Sequence, residues 1–285
     1  MKSSISLALI CVYLFANTGC AFKAVTRSKE IVYLSSDSSL HREAQKLNVF
    51  APSHYSSLKE VLIFIHGGRW NSGKKSLYSF LGNRMARKNI VTVIIDYPKS
   101  PQANYREMAM DAALAVKWVK GNIERFGGDT GKIYISGHSA GGHLAALLAV
   151  SDEYFNKAGI ASPLKGVILI DAAGLDMYSF LVSENLSDGN TLLNTFTTNP
   201  ANWKDASPLY HLHQGLPPML IYTGEKTYPS IKESSEKFVD SLKSIGYHPQ
   251  YLIIQGKKHI PMITQFLNSG NNRYKEIIDF MRQPK

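Results

Sequence analysis

The sequence predicts an α/β fold, a mostly parallel central sheet with helices on both faces, and three observations carry that expectation. Strand-like and helix-like segments alternate along most of the 285 residues, the pattern of parallel sheets with crossover helices. Two runs have the character of strands covered on both faces: Val61–Ile65, apolar without a break, and Val91–Ile95, apolar but for Thr92. Between a third strand-like run, Lys132–Ile135, and the apolar helical run from Gly142 to Val150 stands Gly137-His138-Ser139-Ala140-Gly141. A composition of 44% hydrophobic and 19% charged residues is that of an ordinary globular chain, and the length suits one large α/β domain or two small ones.

In chain order, Met1-Lys2 precedes an apolar stretch from Ile5 to Ala16. About a dozen residues are too few to span a bilayer but suit the hydrophobic region of an export signal. Thr18-Gly19-Cys20 resembles a bacterial lipoprotein cleavage box, although Asn17 stands where an aliphatic residue is usual. The expectation is a signal over residues 1–20, a polar linker over 21–30, and one domain over 31–285. Export then leads to the bacterial periplasm, to a membrane tether through lipidated Cys20, or to secretion. Cys11 and Cys20 are the only cysteines; with Cys11 lost in the signal, no internal disulfide can form. The formal charge of +10 contains no long basic run and no nucleic-acid motif, which argues against a nucleic-acid partner and for a solvated basic surface.

Ile31–Leu34 and Lys46–Phe50 read as opening strands, closed by Ala51-Pro52. A helix from about Ser76 to Lys88 separates the two apolar strands, and Met108, Ala112, Ala115, Val116 and Val119 place a long helix over Tyr105 to Arg125. Further strands are expected at Val167–Ile170, Met219–Tyr222 and Tyr251–Ile254, with helices over Ile231–Ile245 and Tyr274–Met281. The Ser-, Asn-, Thr- and Asp-rich segment from Leu175 to His213 breaks the alternation and is too long for a simple connection. It reads as a small cap, with Leu181, Leu192, Leu193, Phe196 and Trp203 available to pack.

A G-x-S-x-G turn between strand and helix is the pattern of a nucleophile elbow. Ser139 would sit in a strained turn that only small neighbours tolerate, and the helix start would offer the Ala140 N–H to an oxyanion. A serine hydroxyl needs a base to take its proton, and an acid to orient that base. His259 follows the last apolar strand and is the expected base, ahead of His211, His213 and His248. Adjacent glycines after the first buried strand, in His66-Gly67-Gly68-Arg69-Trp70, would let the amides of Gly67 and Gly68 complete an oxyanion hole. His66 reads as a loop stabiliser, while Trp70 is open between pocket wall and packed core.

These motifs, together with Phe126-Gly127-Gly128-Asp129 and Gly141-Gly142-His143, resemble the α/β-hydrolase superfamily. The nearest branch is the carboxylesterase, hormone-sensitive-lipase-like and kynurenine-formamidase-like group. The resemblance covers Ile31 to the C-terminus. It implies a serine hydrolase acting on a small-molecule ester through an acyl-enzyme, with no metal and no organic cofactor, and it makes Asp129 a structural turn residue. An aryl formamide is the alternative substrate. The departure is the acid: many relatives carry Gly-x-x-Asp after the strand corresponding to Met219–Tyr222, where this chain reads Gly224-Glu225-Lys226-Thr227. Glu225, the nearest carboxylate, is the first expectation for the acid, with Asp171 and Asp176 as rivals. A site without an acid would point to a non-catalytic binding protein on the same fold.

Overall fold

The computed structural model describes residues 24–38, 43–184, 186 and 190–283. The expected signal and Cys20 lie outside the described residues. The eight strands are β1 Val25–Leu34, β2 Gln45–Pro52, β3 Lys59–Ile65, β4 Val91–Ile95, β5 Gly128–His138, β6 Leu164–Ile170, β7 Met219–Gly224 and β8 Gln250–Ile254. They form one sheet in the order β1-β2-β4-β3-β5-β6-β7-β8. The β1–β2 and β2–β4 pairs are antiparallel and every other pair is parallel. β1 begins at Val25, within the stretch 21–30 expected to be a linker.

Ten α-helices accompany the sheet among the described residues: α1 Ser79–Arg87, α2 Tyr105–Asn122, α3 Ala140–Val150, α4 Glu153–Ala158, α5 Met177–Glu184, α6 Thr191–Phe196, α7 Pro200–Asp205, α8 Pro229–Ser244, α9 His259–Thr264 and α10 Asn272–Arg282. Alternate residues of β3 feed two separate cores, as a period of two requires. Ile63 and Ile65 pack with α2, α3 and α8 on one face. Leu62 and Phe64 pack with α1, α9 and α10 on the other. Burying each such side chain stabilises the fold by about 1.5–3 kcal/mol. At the start of α2, Asn104 accepts from the N–H groups of Arg106 and Glu107, and the Glu107 carboxylate accepts from the Asn104 N–H. That reciprocal cap ends the preceding loop where the apolar helical spacing begins.

The sheet order sets the place of the site. From β3 the chain moves outward to β4, then crosses back to β5 on the other side of β3. Loops leaving the carboxyl ends of β3 and β5 therefore diverge and open a crevice, the usual ligand position in open α/β sheets. The Gly67-Gly68 loop leaves β3 and Ser139 leaves β5 at that crevice. The segment expected as a cap holds α5, α6, α7 and a 3₁₀ turn, Pro208–His211, with Leu181 and Phe196 fully buried.

Candidate active site

Ser139 has φ 56° and ψ −123°, a strained geometry for a non-glycine residue. Its neighbours explain why the turn can close. A Cβ on Gly137 would lie 2.2 Å from the carbonyl oxygen of Gly141, so the strand end and helix start touch backbone to backbone. Ser139 also donates its N–H to the carbonyl of Ile170 at 3.2 Å. The strain is thus held by β6, and α3, buried at every position, cannot move to relieve it.

Three side chains from three strand ends meet at this serine. The Ser139 hydroxyl donates to His259 Nε2 at 2.9 Å. His259 donates from Nδ1 to Asp171 Oδ2 at 2.6 Å, which assigns the tautomer with the acceptor nitrogen facing Ser139. Asp171, at the end of β6, is fully buried and accepts two further bonds, from the Gly224 N–H at 2.8 Å and the Thr227 hydroxyl. A buried carboxylate is tolerated only when so satisfied.

Of the three carboxylates considered from sequence, the structure puts a different one beside His259 than the first expected. Glu225 is exposed, and its carboxylate accepts from the Gly256 N–H at 2.6 Å, tying the loop after β7 to the turn after β8. Asp176 pairs with Lys237 and accepts from the Ser179 N–H, and those donors hold its carboxyl below the usual range against the opposing effect of burial. Asp171 alone of the three touches His259. Thr227, read from sequence as the loss of an acid, donates its hydroxyl to the Asp171 carboxylate at the end of β6. Asp171 directly follows β6 as Glu225 directly follows β7, so position at a strand end does not separate the two.

His138 stacks on His259, ring centroids 4.7 Å apart, and donates from Nε2 to the His259 carbonyl at 3.2 Å. Burial, then the neighbouring imidazole, push its pKa down to about 3, so it stays neutral and adds no charge beside the base. Sequence reading gave it no role, because the middle position of a G-x-S-x-G turn does not reveal what the side chain faces.

Gly68 has φ +135°, and its carbonyl accepts the N–H groups of Asn71 and Ser72 at 3.1 and 2.9 Å. A Cβ there would lie 2.2 Å from the Ser72 carbonyl oxygen, so no other residue fits this turn. No hydrogen bond engages the N–H of Gly68 or of Ala140 among the described residues. Gly67 differs from expectation: its N–H donates to the Tyr78 hydroxyl at 3.2 Å, so its amide is occupied. Its carbonyl faces His66 Nδ1 at 2.8 Å, and His66 stacks on Tyr97, the loop-stabilising part expected of it.

Trp70 is both wall and core. It is 5% exposed, lines the cavity, and donates from its indole N–H to His143 Nδ1 at 3.1 Å. His143 donates from Nε2 to the Ala206 carbonyl at 2.6 Å, joining α3 to the end of α7. Asp129 accepts from the Gly131 N–H, a turn contact, and His211 bonds the Asp205 carbonyl, away from the serine. The cavity above Ser139 and His259 measures about 880 Å³. Trp70, Leu77, Phe80, Met177, Phe180 and Ile263 supply much of its wall. Among the described residues no group of three His, Cys, Asp or Glu side chains is placed to hold a metal ion.

The BD-FAE family model matches residues 47–242. Isoprenylcysteine alpha-carbonyl methylesterase ICME of Arabidopsis thaliana is 28% identical over 243 residues, covering 77% of this chain and 55% of that protein. Esterase LipC of Mycobacterium tuberculosis is 27% identical over 213 residues, covering 70% and 52%. The chain thus spans about half the length of the curated relatives it matches. Among solved structures, esterase B from Lactobacillus rhamnosis superposes with a TM-score of 0.75 at 19% identity, over 90% of this chain and 86% of that one. A truncated carbohydrate esterase from gut microbiota superposes at 0.74 and 19% identity, over 92% and 96%. Both likenesses show the α/β-hydrolase fold.

Proposed function

The chain belongs to the BD-FAE family of α/β-hydrolases, and from that premise we propose that it hydrolyses carboxylic esters through Ser139, His259 and Asp171. The observation that carries this reading is the unbroken line Asp171–His259–Ser139, with bonds of 2.6 and 2.9 Å. A hydroxyl, an acceptor nitrogen and a buried carboxylate in that order are the parts acyl transfer requires. The esterase names of the relatives support an ester over a formamide as the bond cleaved. A buried carboxylate at Asp171 bonded to His259 supports this reading over a non-catalytic one, which rested on the threonine at 227.

In the reaction, Ser139 Oγ adds to the ester carbonyl carbon while its proton passes to His259 Nε2. The carbonyl oxygen becomes an oxyanion facing the free N–H groups of Gly68 and Ala140. Donors of this kind contribute about 3–4 kcal/mol when aimed at the transition state. The C–O bond to the alcohol then breaks, and His259 returns the proton to the departing oxygen. Water adds to the acyl-enzyme by the same route, its proton going to His259 and then to Ser139 as the acid leaves. Asp171 stays ionised and stabilises the imidazolium formed at each addition. The segment of about 175–213 acts as a cap, its Met177 and Phe180 forming part of the cavity wall.

The test is Ser139→Ala assayed on p-nitrophenyl butyrate, with fluorophosphonate labelling of the native chain. Turnover should fall to background and the label should map to Ser139. Undiminished turnover in the variant overturns the assignment.

A further inference from the structure

The cavity above Ser139 is larger and more apolar than a short ester needs, and its mouth is apolar too. At about 880 Å³ it lies near the top of the roughly 300–1,000 Å³ range of ligand sites. Three charged side chains line it besides the histidines: Asp176, already paired with Lys237, and Arg69 and Glu184, both exposed. The wall running outward from the serine is otherwise dominated by hydrocarbon and aromatic surface.

The rim adds an independent observation. Leu77, Tyr228 and Ile260 line the cavity, yet they are 59%, 59% and 57% exposed. They come from three separate parts of the chain: the 3₁₀ turn before α1, the residue before α8, and the first turn of α9. Large apolar side chains left in water singly need no explanation, but several converging on one opening mark a surface that a ligand covers.

Resting on the Ser139 reading, we infer that this site takes esters with a long neutral hydrocarbon part, a medium- or long-chain acyl group, that runs from the serine along the cavity to the Leu77–Tyr228–Ile260 rim. A short acyl group would leave most of the wall in contact with water. Each methylene of a longer chain moves from water onto that wall, at a gain of up to about fourfold in kcat/KM per fully buried group.

The experiment compares p-nitrophenyl acetate, butyrate, octanoate and decanoate, each below its aggregation limit, on the native chain, Leu77→Ser, Ile260→Ser and Val182→Ser. Val182 is 53% exposed on α5 and does not line the cavity, so it controls for the loss of any exposed apolar side chain. The expected result is a kcat/KM that rises at least tenfold from acetate to octanoate. Ile260→Ser and Leu77→Ser should flatten that rise, losing threefold or more on decanoate than on acetate, while Val182→Ser keeps the native slope. A native profile that falls beyond butyrate overturns the inference and leaves the Ser139 reading intact. So does a rim variant whose loss is equal on every ester. No hydrolysis at any length, together with no fluorophosphonate label on Ser139, overturns both.

Discussion

Replacing Asp171 with asparagine tests the acid assignment at the level of single hydrogen atoms. One carboxylate oxygen accepts the Gly224 N–H, which can only donate. The asparagine carbonyl must therefore stay at that position, and its NH₂ takes the place of the oxygen now facing Thr227 and His259. Thr227 can rotate to accept, but the imidazole can accept at Nδ1 only by carrying its proton on Nε2. That places an N–H against the Ser139 hydroxyl and removes the base. The variant also removes the negative charge that stabilises the imidazolium. The loss in a related triad is about 10⁴ in kcat, or about 5 kcal/mol of transition-state stabilisation. Steady-state kinetics on p-nitrophenyl butyrate should show that loss in kcat with KM little changed, circular dichroism confirming the fold. Glu225→Gln, which disturbs only a turn contact, should stay within threefold of native. An Asp171→Asn variant within tenfold of native turnover, or a Glu225→Gln variant reduced a hundredfold, refutes the reasoning. Because the Thr227 hydroxyl bonds the same oxygen that holds His259, the double variant Asp171→Asn/Thr227→Asp should recover at least tenfold of the lost kcat.

Two further outcomes follow from other parts of the structure and a third from the N-terminal sequence. Tyr78→Phe leaves the Gly67 N–H without its acceptor; a lost bond of about 1 kcal/mol should lower kcat roughly fivefold, and a kcat equal to native would show that the oxyanion loop does not depend on it. His143 is held neutral by burial, its pKa pushed from 6.5 down to about 4, and His138 is shifted the same way. Between those values the unfolded chain binds more protons than the folded one, so stability is fullest above pH 6.5 and falls as pH drops toward 4. His143 accounts for roughly 2 kcal/mol of that fall between pH 7 and pH 5; urea unfolding at those two pH values should show it, and a flat profile would contradict the neutral assignment. For residues 1–20, the expectation of a lipid anchor is checked by detergent partitioning: native protein should enter the detergent phase and Cys20→Ser should not, whereas equal partitioning removes Cys20 as the anchor.

What the residues alone could determine was whatever depends on local order. The short apolar runs at Val61–Ile65 and, with Thr92 inside it, Val91–Ile95 read as strands covered on both faces, and they are strands with buried centres. The glycines flanking Ser139 required a tight turn at a strand end, and His259 after the last strand could fall only at the same edge of a parallel sheet. These signals are short-range, so the chain states them directly. The carboxylate that meets His259 is a different kind of fact. Asp171 lies 88 residues from His259, and nothing in its local sequence distinguishes it from Asp176 or Glu225. Its contact with His259 depends on β6 lying between β5 and β7 and on the Gly224 N–H and Thr227 hydroxyl arriving from the end of the next strand to satisfy it. The same holds for Tyr78, whose bond to the Gly67 amide needs the loop after β3 to fold back on itself. Local pattern settles which element a residue joins; only the packed sheet decides which distant group it meets, because hydrogen-bond partners are chosen by position in space.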